Sequence, residues 1–133
     1  MEKKKIRRLI ITCLLAALVL GSVPAALAAI TDYASTFPRY QDHVTIVKGT
    51  KTYTSSTSVT NRITGPSRET CGFFWVDLIP GSNQVTPTSY CDYGNNFFNY
   101  NEGLAISGTV YLRGQAATWD INTHEVTGTV NFG

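Results

Sequence analysis

Two hydrophobic patterns divide the chain. From Leu9 to Val23 apolar residues follow one another, broken only by Thr12, Cys13, Gly21 and Ser22; beyond residue 30 they alternate with polar ones. The alternating part predicts strands at 43–48, 51–60, 71–79, 84–90, 104–112, 116–121 and 124–132, because Thr, Val, Tyr and Phe recur at every second position rather than at helical spacing. Turn chemistry falls between them, at Gly49, Gly65-Pro66, Pro80-Gly81-Ser82-Asn83, Gly94-Asn95-Asn96, Arg113-Gly114 and Asn122-Thr123. Seven short strands at this spacing predict an all-β fold, a small antiparallel β-sandwich or barrel-like domain.

Individual strands sharpen the expectation. Ile106, Gly108, Val110 and Leu112 share one face of a strand, as do Val126, Gly128, Val130 and Phe132. A glycine on each inward face predicts a bulky ring packed against the backbone, with Trp75 or Phe73 as candidates. The run Phe73-Phe74-Trp75-Val76 is apolar without alternation, as in a strand covered on both faces. Thr50, Thr52 and Thr54 line one face in the manner of an ice-binding row, but a row this short reads as a solvent-facing edge strand.

The first pattern is an export signal. Residues 1–8 are cationic, the apolar run follows, Pro24 ends it, and Ala26-Leu27-Ala28 offers small residues at the positions a signal peptidase reads. Cleavage after Ala28 divides the chain into a signal peptide, 1–28, and one secreted β domain, 29–133. The run is shorter than the roughly 20 residues of a membrane span, so no stable membrane anchor is expected. Five of the eleven cations and one of the nine acids lie in the first eight residues, so the domain carries six cations against eight acids. That slightly acidic balance disfavours nucleic acid as a partner. All 15 aromatic residues lie in the domain, which is not disordered by composition.

Removal of Cys13 with the signal leaves Cys71 and Cys91, which in an oxidising compartment predicts one disulfide. A hairpin centred near Gly81 sets the two opposite each other to within a residue of register, and opposed strand residues lie about 4.5–5.5 Å apart at Cα, within disulfide reach.

Catalytic patterns are missing from the sequence: HExxH, Gly-x-Ser-x-Gly, the phosphate-binding loop and the calcium loop do not occur. His43 and His124 are the only near-neutral acid–base groups, and their acidic sequence neighbours Asp42 and Glu125 point to opposite strand faces. No enzyme activity, cofactor or metal is expected. The most suggestive segment is 90–101, where rings alternate with amides. Tyr90, Tyr93, Asn95, Asn96 and Tyr100 are its candidate binding residues for an extracellular protein or a glycan, against the alternative that Phe97 and Phe98 plug the end of the sandwich.

The short Lys/Arg signal, the aromatic strand Gly72-Phe73-Phe74-Trp75-Val76, the strand Gly108-Thr109-Val110-Tyr111-Leu112-Arg113 and the closing Val126-Thr127-Gly128 resemble those of small secreted proteins of Gram-positive bacteria that have no assigned function. Some of these look like companions of bacteriocin production or immunity. The resemblance implies a role in killing, protection or competition outside the cell, and it carries over no functional residue. The expectation is a secreted, non-enzymatic β-protein that acts by binding, either bacteriocin-associated or a carbohydrate or cell-wall binding module.

Overall fold

A computed structural model describes residues 28–133; the signal expected over 1–28 lies, apart from Ala28, outside the described residues. The strands are β1 (Ile30–Phe37), β2 (Val44–Lys51), β3 (Ser58–Gly65), β4 (Gly72–Ile79), β5 (Ser82–Gln84), β6 (Ser89–Cys91), β7 (Gly94–Asn99), β8 (Gly108–Ala116) and β9 (His124–Asn131). They form two antiparallel sheets whose inner faces pack together, so the predicted all-β sandwich is the fold. One sheet runs β1-β9-β3-β7; the other runs β2-β8-β4, with β5 and β6 dividing the remaining edge of β4.

Side-chain alternation builds the core. Tyr33 and Phe37 from β1, Val126 and Val130 from β9 and Val59 and Ile63 from β3 meet Phe74 and Val76 from β4 and Val110 and Leu112 from β8. Three of the rings are seated on glycines. A Cβ on Gly72 would lie 2.6 Å from the Phe37 ring, and one on Gly114 would lie 2.9 Å from it. Phe132 covers Gly49, and the Tyr33 ring lies 2.7 Å from where a Cβ on Gly128 would be. The ring expected against the inward glycines is thus Tyr33 at Gly128, while Gly108 faces open space. Phe73 and Trp75 are opposite Gln115 and Arg113 on the other face of the sheet. Trp75 is buried there, edge to face with His43 at 4.9 Å.

Glycines read as turns explain most of the misplaced boundaries. β2 passes straight through Gly49, and β8 passes through Arg113-Gly114 to Ala116. Arg113 is held across the sheet by Thr45 Oγ1 at 2.6 Å and Asp77 at 3.6 Å. The strand expected at 116–121 is therefore the end of β8 followed by a loop. The strand expected at 84–90 is split around Pro87, where Thr86 Oγ1 accepts the Val76 N–H at 2.9 Å in place of a backbone carbonyl.

The register also corrects the expected disulfide. Gly72, not Cys71, stands opposite Cys91, and a one-residue offset turns the two cysteines to opposite faces. Both thiols are free. Cys91 is buried in the core beside Asn61, and burial pushes its thiol up to about 12, opposed by a hydrogen bond with Asn61 and reinforced by Asp92. Cys71 is half-buried and lies against the Tyr90 hydroxyl. A maleimide at neutral pH is expected to label Cys71 in native protein and Cys91 only after unfolding, as mapped by peptide mass spectrometry. Protection of both thiols until a reductant is added would reinstate the bridge.

Candidate functional site

The structure disperses the residues of the 90–101 segment. Tyr90 is exposed on β6 with its ring against Phe73 at 5.7 Å. Tyr93 is exposed in the link to β7, and Asn95 is exposed on β7. Asn96 is engaged in structure: its side chain accepts the Asp92 N–H and donates to the carbonyls of Asp92, Gly94 and Asn61. Tyr100 belongs to the core, where its hydroxyl donates to Phe132 O at 2.8 Å. Its ring also lies under the Lys51 ammonium at 4.9 Å. Replacing Tyr100 with Phe is expected to cost about 1 kcal/mol through the orphaned carbonyl, and Tyr100→Ala about 3–5 kcal/mol; urea unfolding monitored by fluorescence measures both.

A different surface is assembled at the end of the sandwich where β1, β3 and β8 finish. The link after β1 contains Tyr40 and Gln41 with φ of 60° and 57°, two successive non-glycine residues in the left-handed region. Such conformations cost on the order of 1–3 kcal/mol each and persist only where surrounding contacts enforce them. Those contacts are present. Tyr40 N–H donates to Asp120 O at 2.8 Å, and Gln41 Nε2 donates to Ala116 O and Ala117 O at 3.1 Å each.

The opposing loop, 117–123, is closed by one carboxylate. Asp120 Oδ1 accepts the Asn122 N–H at 2.6 Å, while Oδ2 pairs with His124 Nε2 at 2.7 Å. The hydrogen bond with His124 first, and that from Asn122 second, holds the Asp120 carboxyl below its ordinary range. The tether is therefore complete above the usual aspartate pKa and is lost only as the pH falls through the lowered value.

The two loops together present Tyr40 and Trp119 to solvent, with centroids 5.2 Å apart and planes inclined by 41°. Trp119 is 67% exposed, Tyr40 48% and neighbouring Ile121 62%. The loop 117–123 also helps to line a cleft of about 470 Å³, to which Ser67, Glu69 and Cys71 from the β3–β4 link and Thr118, Thr123 and His124 contribute. The aromatic ledge and the cleft thus share the loop 117–123. His124 is held by Asp120 in this arrangement and Cys71 faces Tyr90, so the cleft residues are not paired as nucleophile and base. Among the described residues no group of three or more His, Cys, Asp or Glu is placed to hold a metal ion, and no helix is long and apolar enough to cross a membrane.

Sequence reasoning misses this ledge because 116–121 reads as a strand. The available signal was Trp119 followed by the turn-forming Asp120 and Asn122-Thr123, and Tyr40 following Pro38. No family model matches the chain, and no curated protein or solved structure does either.

Proposed function

We propose that this chain is an exported, non-enzymatic binding protein whose ligand is a cell-surface glycan, taken on the Tyr40–Trp119 ledge with its polar substituents in the adjoining cleft. The observation carrying this is the pair of exposed rings, of which Tyr40 stands on a left-handed backbone tied to the loop that carries Trp119. Sugar rings stack their C–H faces on such aromatics, and Ser67, Glu69, Thr118 and Thr123 supply hydroxyls and carboxylate suited to sugar hydroxyls. The resemblance to bacteriocin-associated secreted proteins gives the setting, competition or protection at the surface of a Gram-positive cell, to which a wall-glycan ligand is well suited.

Retention on purified wall polysaccharide, with release by free sugar, tests the proposal. Failure of the intact protein to be retained, or retention indifferent to Trp119, would reject it. An inhibition-zone assay on related bacteria tests the setting separately.

A further inference from the structure

We propose that β7 is a self-association edge: two copies of this chain join through antiparallel pairing of β7 with β7, about a two-fold axis at Phe97. Among the described residues, the strand order β1-β9-β3-β7 leaves one side of β7 without a neighbour. The phase of its hydrogen bonds follows from Tyr100 N–H, which donates to Thr57 O. Main-chain groups alternate in direction along an antiparallel strand. Residues 94, 96 and 98 therefore bond to β3, and the N–H and C=O groups of Asn95, Phe97 and Asn99 point outward.

Sheet edges are ordinarily protected by charge, proline or brevity. Three of the four edges of this sandwich conform: β1 carries Asp32, β2 carries Lys48, and the edge of β4 is divided between the three-residue strands β5 and β6. β7, Gly94-Asn95-Asn96-Phe97-Phe98-Asn99, has no charge and no proline. At its centre the Phe97 ring is 71% exposed.

The strand is also complementary to itself. A two-fold axis at Phe97 sets Phe97 against Phe97 and Asn95 against Asn99, so the exposed rings become a cross-strand pair. Every outward N–H then meets an outward C=O of the other copy. β3 extends the rows, with Thr60 beside Phe97, Arg62 beside Asn95 and Ser58 beside Asn99. Arg62 of one copy shares its row with Ser58 of the other, and no like charges face each other. Moving the axis to Asn95 or Asn99 leaves Phe97 opposite residues outside β7. Because the two-fold arrangement uses both edges, it closes at the dimer.

Sedimentation equilibrium at rising concentration is expected to show a monomer–dimer equilibrium. Phe97→Pro removes the exposed ring and an outward N–H but no bond to β3, so it should weaken association at least tenfold while leaving circular dichroism and the melting temperature near those of the unaltered protein. As an independent measure, Phe97→Cys in a Cys71→Ser background should give on mild oxidation a dimer linked at position 97, since opposed hydrogen-bonded residues lie about 5.5 Å apart at Cα. A monomer at every concentration, growth beyond the dimer, or a dimer that persists with folded Phe97→Pro and is not cross-linked by Phe97→Cys would overturn the proposal.

Discussion

Phe37→Ala is expected to lower the unfolding free energy by about 3–5 kcal/mol, the range for truncating a fully buried aromatic. Phe37 has no exposed surface, and its ring fills the space left by Gly72 and Gly114 while meeting the Phe74 ring edge-on at 5.6 Å. Neither glycine can collapse into the vacated volume, since neither has a side chain to move, so the cavity term should be felt in full. Small domains hold about 5–15 kcal/mol in total, and the variant should therefore be partly unfolded near physiological temperature. Equilibrium denaturation in urea measures the effect. A loss below about 1 kcal/mol would mean that the ring does not tie the two sheets together as described.

Trp119→Ala combined with Tyr40→Ala is expected to weaken retention on wall polysaccharide by at least a hundredfold, because exposed rings at a binding hot spot contribute about 2 kcal/mol or more each. Stability should respond differently. Trp119 makes few buried contacts, and Tyr40 holds a left-handed conformation that costs energy in the free protein. Tyr40→Gly should therefore raise the melting temperature or leave it unchanged while reducing binding. A variant that loses stability and binding in parallel would instead assign these rings a structural role.

The parts of the fold that were legible in the sequence were those governed by period-two alternation. β8 and β9 show it without interruption at Val110, Leu112, Val126 and Val130, and these residues are buried as expected. β1 was not legible because Tyr33 and Phe37 are its only large inward residues, separated by Ala34, Ser35 and Thr36, a pattern no different from a polar leader. Gly49 and Gly114 were misread because a glycine that opens a turn and a glycine that seats a ring are the same letter; only the facing Phe132 and Phe37, more than 75 residues away in sequence, distinguish them. The cysteine pair failed on parity. Symmetry about Gly81 was correct to within one residue, but in a β-ladder one residue separates a pair on the same face from a pair on opposite faces. Over 90–101, the alternation of rings and amides marks an aromatic-rich segment, but not which rings are buried: Tyr100 faces inward and Phe97 outward because of the phase of β7.

The position of β9 has a consequence for how the chain is made. β9 lies between β1 and β3 and pairs with both, so residues 30–37 have no partner strand until residues 124–131 have been synthesised. Until then β1 cannot join its sheet, and only the β3–β7 pair is available to cover the inner face of the β2-β8-β4 sheet. A nascent chain emerging from its N-terminus is thereby held short of its stable state until β9 has been made. Pairing at such long sequence separation is slow; on the export proposed above, that delay would keep the polypeptide threadable through a translocation channel.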